Sequence, residues 1–209
     1  MSKLIIARHH ESEWNKLGVW TGLRDSHLTP YGFQKAGEMG LLIKGTTVDY
    51  AFASMLVRTI ETLSCMLTTM EIYKVPSEYA YALNERDYGD LTGKSKWEIK
   101  KEVGDDMFKN IRREWDCPVP NGETLKMVSA RSVPFFKSKI LPLVTSGKNV
   151  LVSSHGNTIR TLVKHIENIP DDKVCDLEIP FGSIIIYEFD SSGKMTNKEM
   201  LQVPSEVNA

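Results

Sequence analysis

The sequence predicts an α/β fold, and three observations carry that prediction. Strand-like and helix-like segments alternate along the chain, the pattern of a layered α/β architecture. The 209 residues suit one ordinary domain rather than two. Hydrophobic residues at 41% and charged residues at 25% match globular averages, which excludes disordered and fibrous classes.

Each element has a local reason. Residues 4–7 (LIIA) are a short apolar run and read as a buried strand. Thr29 and Pro30 open a helix, because the missing N–H of proline costs nothing at the first helical position. Phe33, Ala36, Gly37, Gly40 and Leu41 then mark its buried face. Residues 48–53 read as a second strand, and the helix after Ser54 carries Leu56, Ile60, Leu63 and Leu67 along one stripe. Residues 81–122 are charged and aromatic, with two short helical patterns split by Gly104; such an excursion caps or lines a site at the carboxyl edge of a sheet. Pro134 predicts a kink in the helical pattern 127–141. Residues 149–153 form a third strand, followed by a helix with Ile159, Leu162, Val163 and Ile166 on one face. Residues 183–189 are β-rich, and the turn at 190–193 leads to a final strand near 200–203. The domain therefore spans 1–203, with 204–209 a mobile tail.

Composition excludes several function classes. Lys+Arg total 26 and Asp+Glu 27, a formal net charge of −1, so neither nucleic acid nor an anionic membrane is an expected partner. The longest uniformly apolar stretch, 184–187, is far short of the roughly 20 residues a membrane span needs, and 4–7 is too short for a signal-peptide core. Cys65, Cys117 and Cys175 are widely spaced with no CxxC pair, which predicts no disulfide framework or zinc ribbon and points to the cytoplasm.

The chemistry gathers at predicted strand ends. The first strand runs into Arg8-His9-His10-Glu11-Ser12, the second into Ser54 with Arg58 one turn on, and the third into Ser154-His155-Gly156-Asn157. Two histidines and two arginines delivered this way make an electropositive pocket for an anion, and helix N-termini after Ser54 and after Asn157 add N–H groups and dipole ends. A neutral histidine in that setting suits nucleophilic attack on phosphorus, with the cations stabilising phosphoryl oxygens.

Competing chemistries fit poorly. Adjacent extended residues such as His9 and His10 point to opposite faces, so one metal ion does not take both; no HxxxH or HExxH pair exists. GxSxG is absent, and no cysteine is followed by arginine at the spacing of a cysteine phosphatase. Residues 89–95 (GDLTGKS) are one residue short of a P-loop, with no buried strand before them.

These residues resemble the histidine phosphatase superfamily, and within it the cofactor-dependent phosphoglycerate mutase branch. Arg8-His9-His10-Glu11-Ser12-Glu13-Trp14-Asn15 is similar to RHGESxWN, and Thr21-Gly22 with Asp25 and Leu28 to TGxxDxxL. Ser54, Leu56, Arg58 and Thr62 resemble SxLxRAxxT, residues 83–89 (LNERDYG) resemble LNERxYG, and Ser154-His155-Gly156-Asn157 resembles AHGN. Lys96 and the pair Arg112-Arg113 fall where that branch carries its basic residues.

The resemblance implies a mixed, mostly parallel sheet flanked by helices on both faces. It implies interconversion of 3-phosphoglycerate and 2-phosphoglycerate in glycolysis and gluconeogenesis through a phosphohistidine, primed by 2,3-bisphosphoglycerate and without a metal. His9 is then the nucleophile; Arg8, Arg58, Asn15 and His155 surround the phosphoryl group; Glu85 moves the substrate's hydroxyl proton. Thr21, Gly22, Arg86, Tyr88, Lys96, Arg112, Arg113, Gly156 and Asn157 hold the remaining anionic ends. The expected partner is this small-molecule substrate, and the resemblance admits a homodimer. His10 stands in place of the signature glycine, placing a side chain beside the nucleophile; Trp20 and Leu23 exchange aromatic positions; Asp87 replaces a histidine and adds an acid near the carboxylate grip. The rival reading is a phosphatase of the same superfamily, in which water takes the phosphoryl group. A non-catalytic phospholigand-binding protein is the more distant one.

Overall fold

A computed structural model describes residues 2–204; the part of the expected tail at 205–209 lies outside the described residues. Six strands form one mixed sheet. In chain order they are β1 (Ser2–Arg8), β2 (Tyr50–Ala53), β3 (Ser77–Tyr79), β4 (Val150–Ser154), β5 (Ser183–Phe189) and β6 (Met195–Gln202). Their spatial order is β3-β2-β4-β1-β5-β6. The first four of that row are parallel, and β5 and β6 add an antiparallel edge.

Among the described residues, seven α-helices accompany the sheet: α1 (Glu13–Lys16), α2 (Pro30–Leu42), α3 (Val57–Thr69), α4 (Lys96–Arg113), α5 (Leu125–Phe135), α6 (Leu141–Thr145) and α7 (Gly156–Glu167). Alternate residues of each strand serve opposite faces. Leu4, Ile6, Phe52, Val150 and Val152 pack with Ile159, Leu162 and Val163 of α7 and Val144 of α6. Ile5, Ala7, Ala51, Ala53 and Leu151 pack instead with Met39 of α2 and with Leu63 and Met66 of α3. A third cluster, built on Trp20, Ile99, Phe108, Ile111 and Val119, holds the charged excursion together.

Several elements differ from expectation in detail. Helix α2 is capped as predicted, with Thr29 Oγ1 accepting from Gly32 N at 3.0 Å. Its inward face, however, is Gly32, Ala36, Met39 and Gly40, while Phe33 and Leu41 are exposed. Close backbone approach sets this rotation: a Cβ on Gly40 would stand 2.6 Å from the Met66 carbonyl oxygen of α3, and one on Gly32 would stand 2.1 Å from that of Glu11. Strand β3, only three residues long, was not expected, and β6 begins at Met195 rather than near 200. Gly104 breaks α4 as expected. After Pro134 the helix passes through a π-helical turn (Phe136–Ile140) before resuming as α6, the backbone adjustment a ring without an N–H imposes.

Candidate active site

Sheet order brings the chemistry together. Strand β4 lies between β1 and β2, so the residues leaving the three carboxyl ends become neighbours. His9 N donates to the Ser154 carbonyl (3.2 Å), and Ser54 N to that of Ser153 (3.3 Å). His155 is the N-cap of α7, so this helix starts at Gly156, one residue before Asn157 rather than after it.

His9 is 3% exposed, and its Nδ1 lies 2.7 Å from the His10 carbonyl oxygen. A carbonyl only accepts, so Nδ1 carries the proton and Nε2 keeps its lone pair. Burial, then the charges of Arg58 and Arg8, hold the His9 pKa well below the ordinary imidazole range. The His155 ring stands 5.0 Å from that of His9, centroid to centroid, and its Nε2 meets Ser54 Oγ at 2.8 Å. Burial, then Arg58 and His9, depress its pKa as well.

Two buried arginines complete this end. Arg58 donates to the carbonyls of Arg24 (2.9 Å) and Gly22 (3.0 Å). Arg8 donates to the Ile179 carbonyl and lies 3.9 Å above the Phe181 ring centre. Burial lowers both guanidinium pKa values to about 10, which leaves them charged at neutral pH. Gly156 makes room for Arg8, since a Cβ there would sit 3.2 Å from the guanidinium carbon.

Arg8, His9 and Arg58 open onto a cleft lined also by Asn15, Thr21, Gly22, Glu85, Tyr88, Lys96, Arg112, Arg113, Gly156, Asn157 and Arg160, while His155 lies fully buried behind His9. In its wall Asn157 Nδ2 donates to Tyr88 Oη (2.8 Å), and the Tyr88 ring centre lies 4.5 Å from that of Trp20. Arg113 pairs with Glu178 (2.6 Å). Burial, then the neighbouring Arg112, lowers the Lys96 pKa to about 8. Six buried side-chain atoms have no hydrogen-bond partner among the described residues: His10 Nε2 and Thr92 Oγ1 away from the cleft, and Arg8 Nε, Trp20 Nε1, Thr21 Oγ1 and His155 Nδ1 on residues that line or adjoin it. Such atoms, in a cleft with six cationic side chains against Glu85 and Glu178, suit a polyanion that accepts hydrogen bonds at both ends. Among the described residues, no cluster of three or more His, Cys, Asp or Glu side chains is arranged to hold a metal ion.

Three expectations are corrected. Arg86 does not face the cleft: it is fully buried and donates to the carbonyls of Glu123 (2.5 Å), Ile111 (2.6 Å) and Cys117 (3.1 Å). Its guanidinium is used up on backbone. His10 puts no side chain into the cleft beside His9, because alternation along the extended chain turns it away; its Nδ1 accepts an added hydrogen bond from Glu11 N (2.8 Å), and its ring packs against Tyr31 and Phe181. Asp87 is turned away too, accepting from Gly89 N (2.9 Å) beside a separate cleft. Arg160 was missed. It sits on α7 near His155, much as Arg58 follows Ser54, and that parallel was the available signal.

Fold and site together define a class: an α/β protein whose histidine-centred, electropositive cleft suits phosphoryl transfer through a histidine. The profile of the histidine phosphatase superfamily (branch 1) matches residues 4–199, and the chain belongs to that superfamily. A curated relative from Parvibaculum lavamentivorans, named 2,3-bisphosphoglycerate-dependent phosphoglycerate mutase, is 40% identical over 200 residues covering 95% of each chain. One of the same name from Streptococcus uberis is 39% identical over 94% of this chain and 97% of its own. The solved structure of Bacillus stearothermophilus YhfR is similar at a TM-score of 0.82 and 25% identity, covering 94% of this chain and 95% of its own.

Proposed function

We infer that the chain is a 2,3-bisphosphoglycerate-dependent phosphoglycerate mutase that interconverts 3-phosphoglycerate and 2-phosphoglycerate. The observation that carries this reading is a single cleft in which a neutral, buried His9 is joined to a second basic end, Lys96, Arg112, Arg113 and Arg160. Releasing an alcohol after dephosphorylation needs only the first end; keeping a bisphosphorylated intermediate bound needs both.

When bound, 2,3-bisphosphoglycerate supplies the phosphoryl group that primes the enzyme. His9 Nε2 would form the bond to phosphorus as the ester bond to the glycerate oxygen breaks and phosphoglycerate leaves, while the His10 carbonyl holds the proton on Nδ1. Arg8 and Arg58 offset the charge on the phosphoryl oxygens. With Ser54 donating to Nε2 of His155, Nδ1 of that ring presents an N–H beside His9. Glu85 takes the proton from the substrate hydroxyl and returns it in the second half-reaction. Lys96, Arg112, Arg113, Thr21 and Asn157 hold the carboxylate and the phosphate that is not moving. This division of labour asks nothing of a metal. A cytoplasmic glycolytic role and a homodimer complete the proposal; no described helix is long and apolar enough to cross a membrane.

A phosphatase has no use for the second basic end, and His10, which stands in place of the signature glycine, does not line the cleft. Phosphorus NMR of the protein with 3-phosphoglycerate and trace 2,3-bisphosphoglycerate decides between the two. A cofactor-dependent 2-phosphoglycerate signal is expected; accumulation of inorganic phosphate in its place would make the protein a phosphatase.

A further inference from the structure

Glu85 lies on a stretch, residues 84–88, without regular secondary structure. Backbone groups in such a stretch need partners from elsewhere. One guanidinium serves two of them and two carbonyls just before the stretch. Arg131, on α5, donates through Nη1 to the carbonyls of Tyr81 (3.3 Å), Ala82 (2.9 Å) and Asn84 (3.0 Å), and through Nη2 to that of Glu85 (2.9 Å). The same group pairs with both oxygens of Glu123, each at 2.9 Å. Glu123 in turn accepts from Asp87 N through Oε2 (2.9 Å) and donates its own N–H to the Asp87 carbonyl (2.9 Å). The backbone is thus held at and before Glu85 by one member of an ion pair and two residues after it by the other. Neither member lines the cleft.

We propose that the Arg131–Glu123 ion pair is the positioning device for the Glu85 carboxylate, fixing the backbone on both sides so that this carboxyl meets the substrate hydroxyl. The proposal rests on the proton-transfer role given to Glu85. Arginine is required by geometry: a planar fork serves four carbonyls and a carboxylate, whereas lysine is a point charge on a flexible stem.

The test is a double-mutant cycle on kcat and KM, with Arg131→Lys and Glu123→Gln each made alone and together with Glu85→Gln. Misplacement of a reacting group by about 1 Å costs up to roughly a hundredfold, so each single substitution should lower kcat by about ten- to a hundredfold. KM for 3-phosphoglycerate should stay near the parental value, because the second basic end is untouched. In the Glu85→Gln background the same substitutions should lower kcat no further. An equal loss in both backgrounds, or a raised KM with kcat retained, makes the pair merely structural and overturns the proposal. Glu123→Gln keeps the Arg131 donors, so it carries the cycle if Arg131→Lys does not fold, and parental kcat in it also overturns the proposal. Parental kcat in Glu85→Gln alone instead removes the proton-transfer role, and positioning with it.

Discussion

The rings of His9 and His155 meet edge to face, 5.0 Å between centroids and 69° between planes, and each is anchored through a different nitrogen. His9 is held at Nδ1 by a backbone carbonyl and His155 at Nε2 by a serine hydroxyl. The opposite anchoring leaves Nε2 of one and Nδ1 of the other for the same small volume. In the proposed mechanism these two nitrogens are the nucleophile and a charge-stabilising donor.

Lys96 should impose an alkaline limit on substrate capture. Its pKa, lowered to about 8 by burial and by Arg112, means it is charged below that pH and neutral above it. In steady-state profiles kcat/KM, which reports the free enzyme, should fall above about pH 8. In Lys96→Arg the fall should disappear, since guanidinium stays charged. A break unmoved by that substitution would assign it to another group.

Arg86 should register in stability. Arg86→Met strands one buried carbonyl, at a cost on the order of 1–3 kcal/mol, and two part-buried ones that cost less, so denaturant unfolding should show a loss of about 2 kcal/mol or more. A variant of parental stability with a raised KM would mean that the guanidinium reaches substrate after all.

Acid should destabilise the fold partly through His10. Burial, then Lys35 and Arg8, push its pKa down to about 4, against Glu38, which raises it. The unfolded chain binds this proton near pH 6.5 and the folded one only near 4, so stability falls as pH drops through that window and is flat above it. Asparagine keeps an acceptor for Glu11 N–H without titrating. The melting temperature of His10→Asn should therefore depend less on pH between 6.5 and 4, and a slope equal to the parent's would contradict this.

What could be read in the sequence follows from what each element depends on. Strands β1, β2 and β4 were legible because fully buried strands are continuous apolar runs, and the polar residues that end them are the site. The face of α2 was legible only in part: Ala36 and Gly40 turn inward as expected, but Phe33 and Leu41 do not, because glycines that permit close backbone approach decide it, whereas periodicity weighs large side chains. Strand β3 is held only by pairing to β2 and carries no pattern of its own. Arg86 and Arg160 look alike in sequence. Both donate to backbone carbonyls, and only packing leaves Arg160, and not Arg86, lining the cleft.

The central claim is that His9 carries the phosphoryl group between donor and substrate. The direct measurement is brief exposure to phosphorus-labelled 2,3-bisphosphoglycerate, mapping of the labelled peptide under alkaline conditions, and a chase with unlabelled 3-phosphoglycerate. An acid-labile label on His9 that leaves with phosphoglycerate on the chase, and is absent from His9→Ala, is the predicted result. Turnover without label on His9, or retained in His9→Ala, would contradict the account.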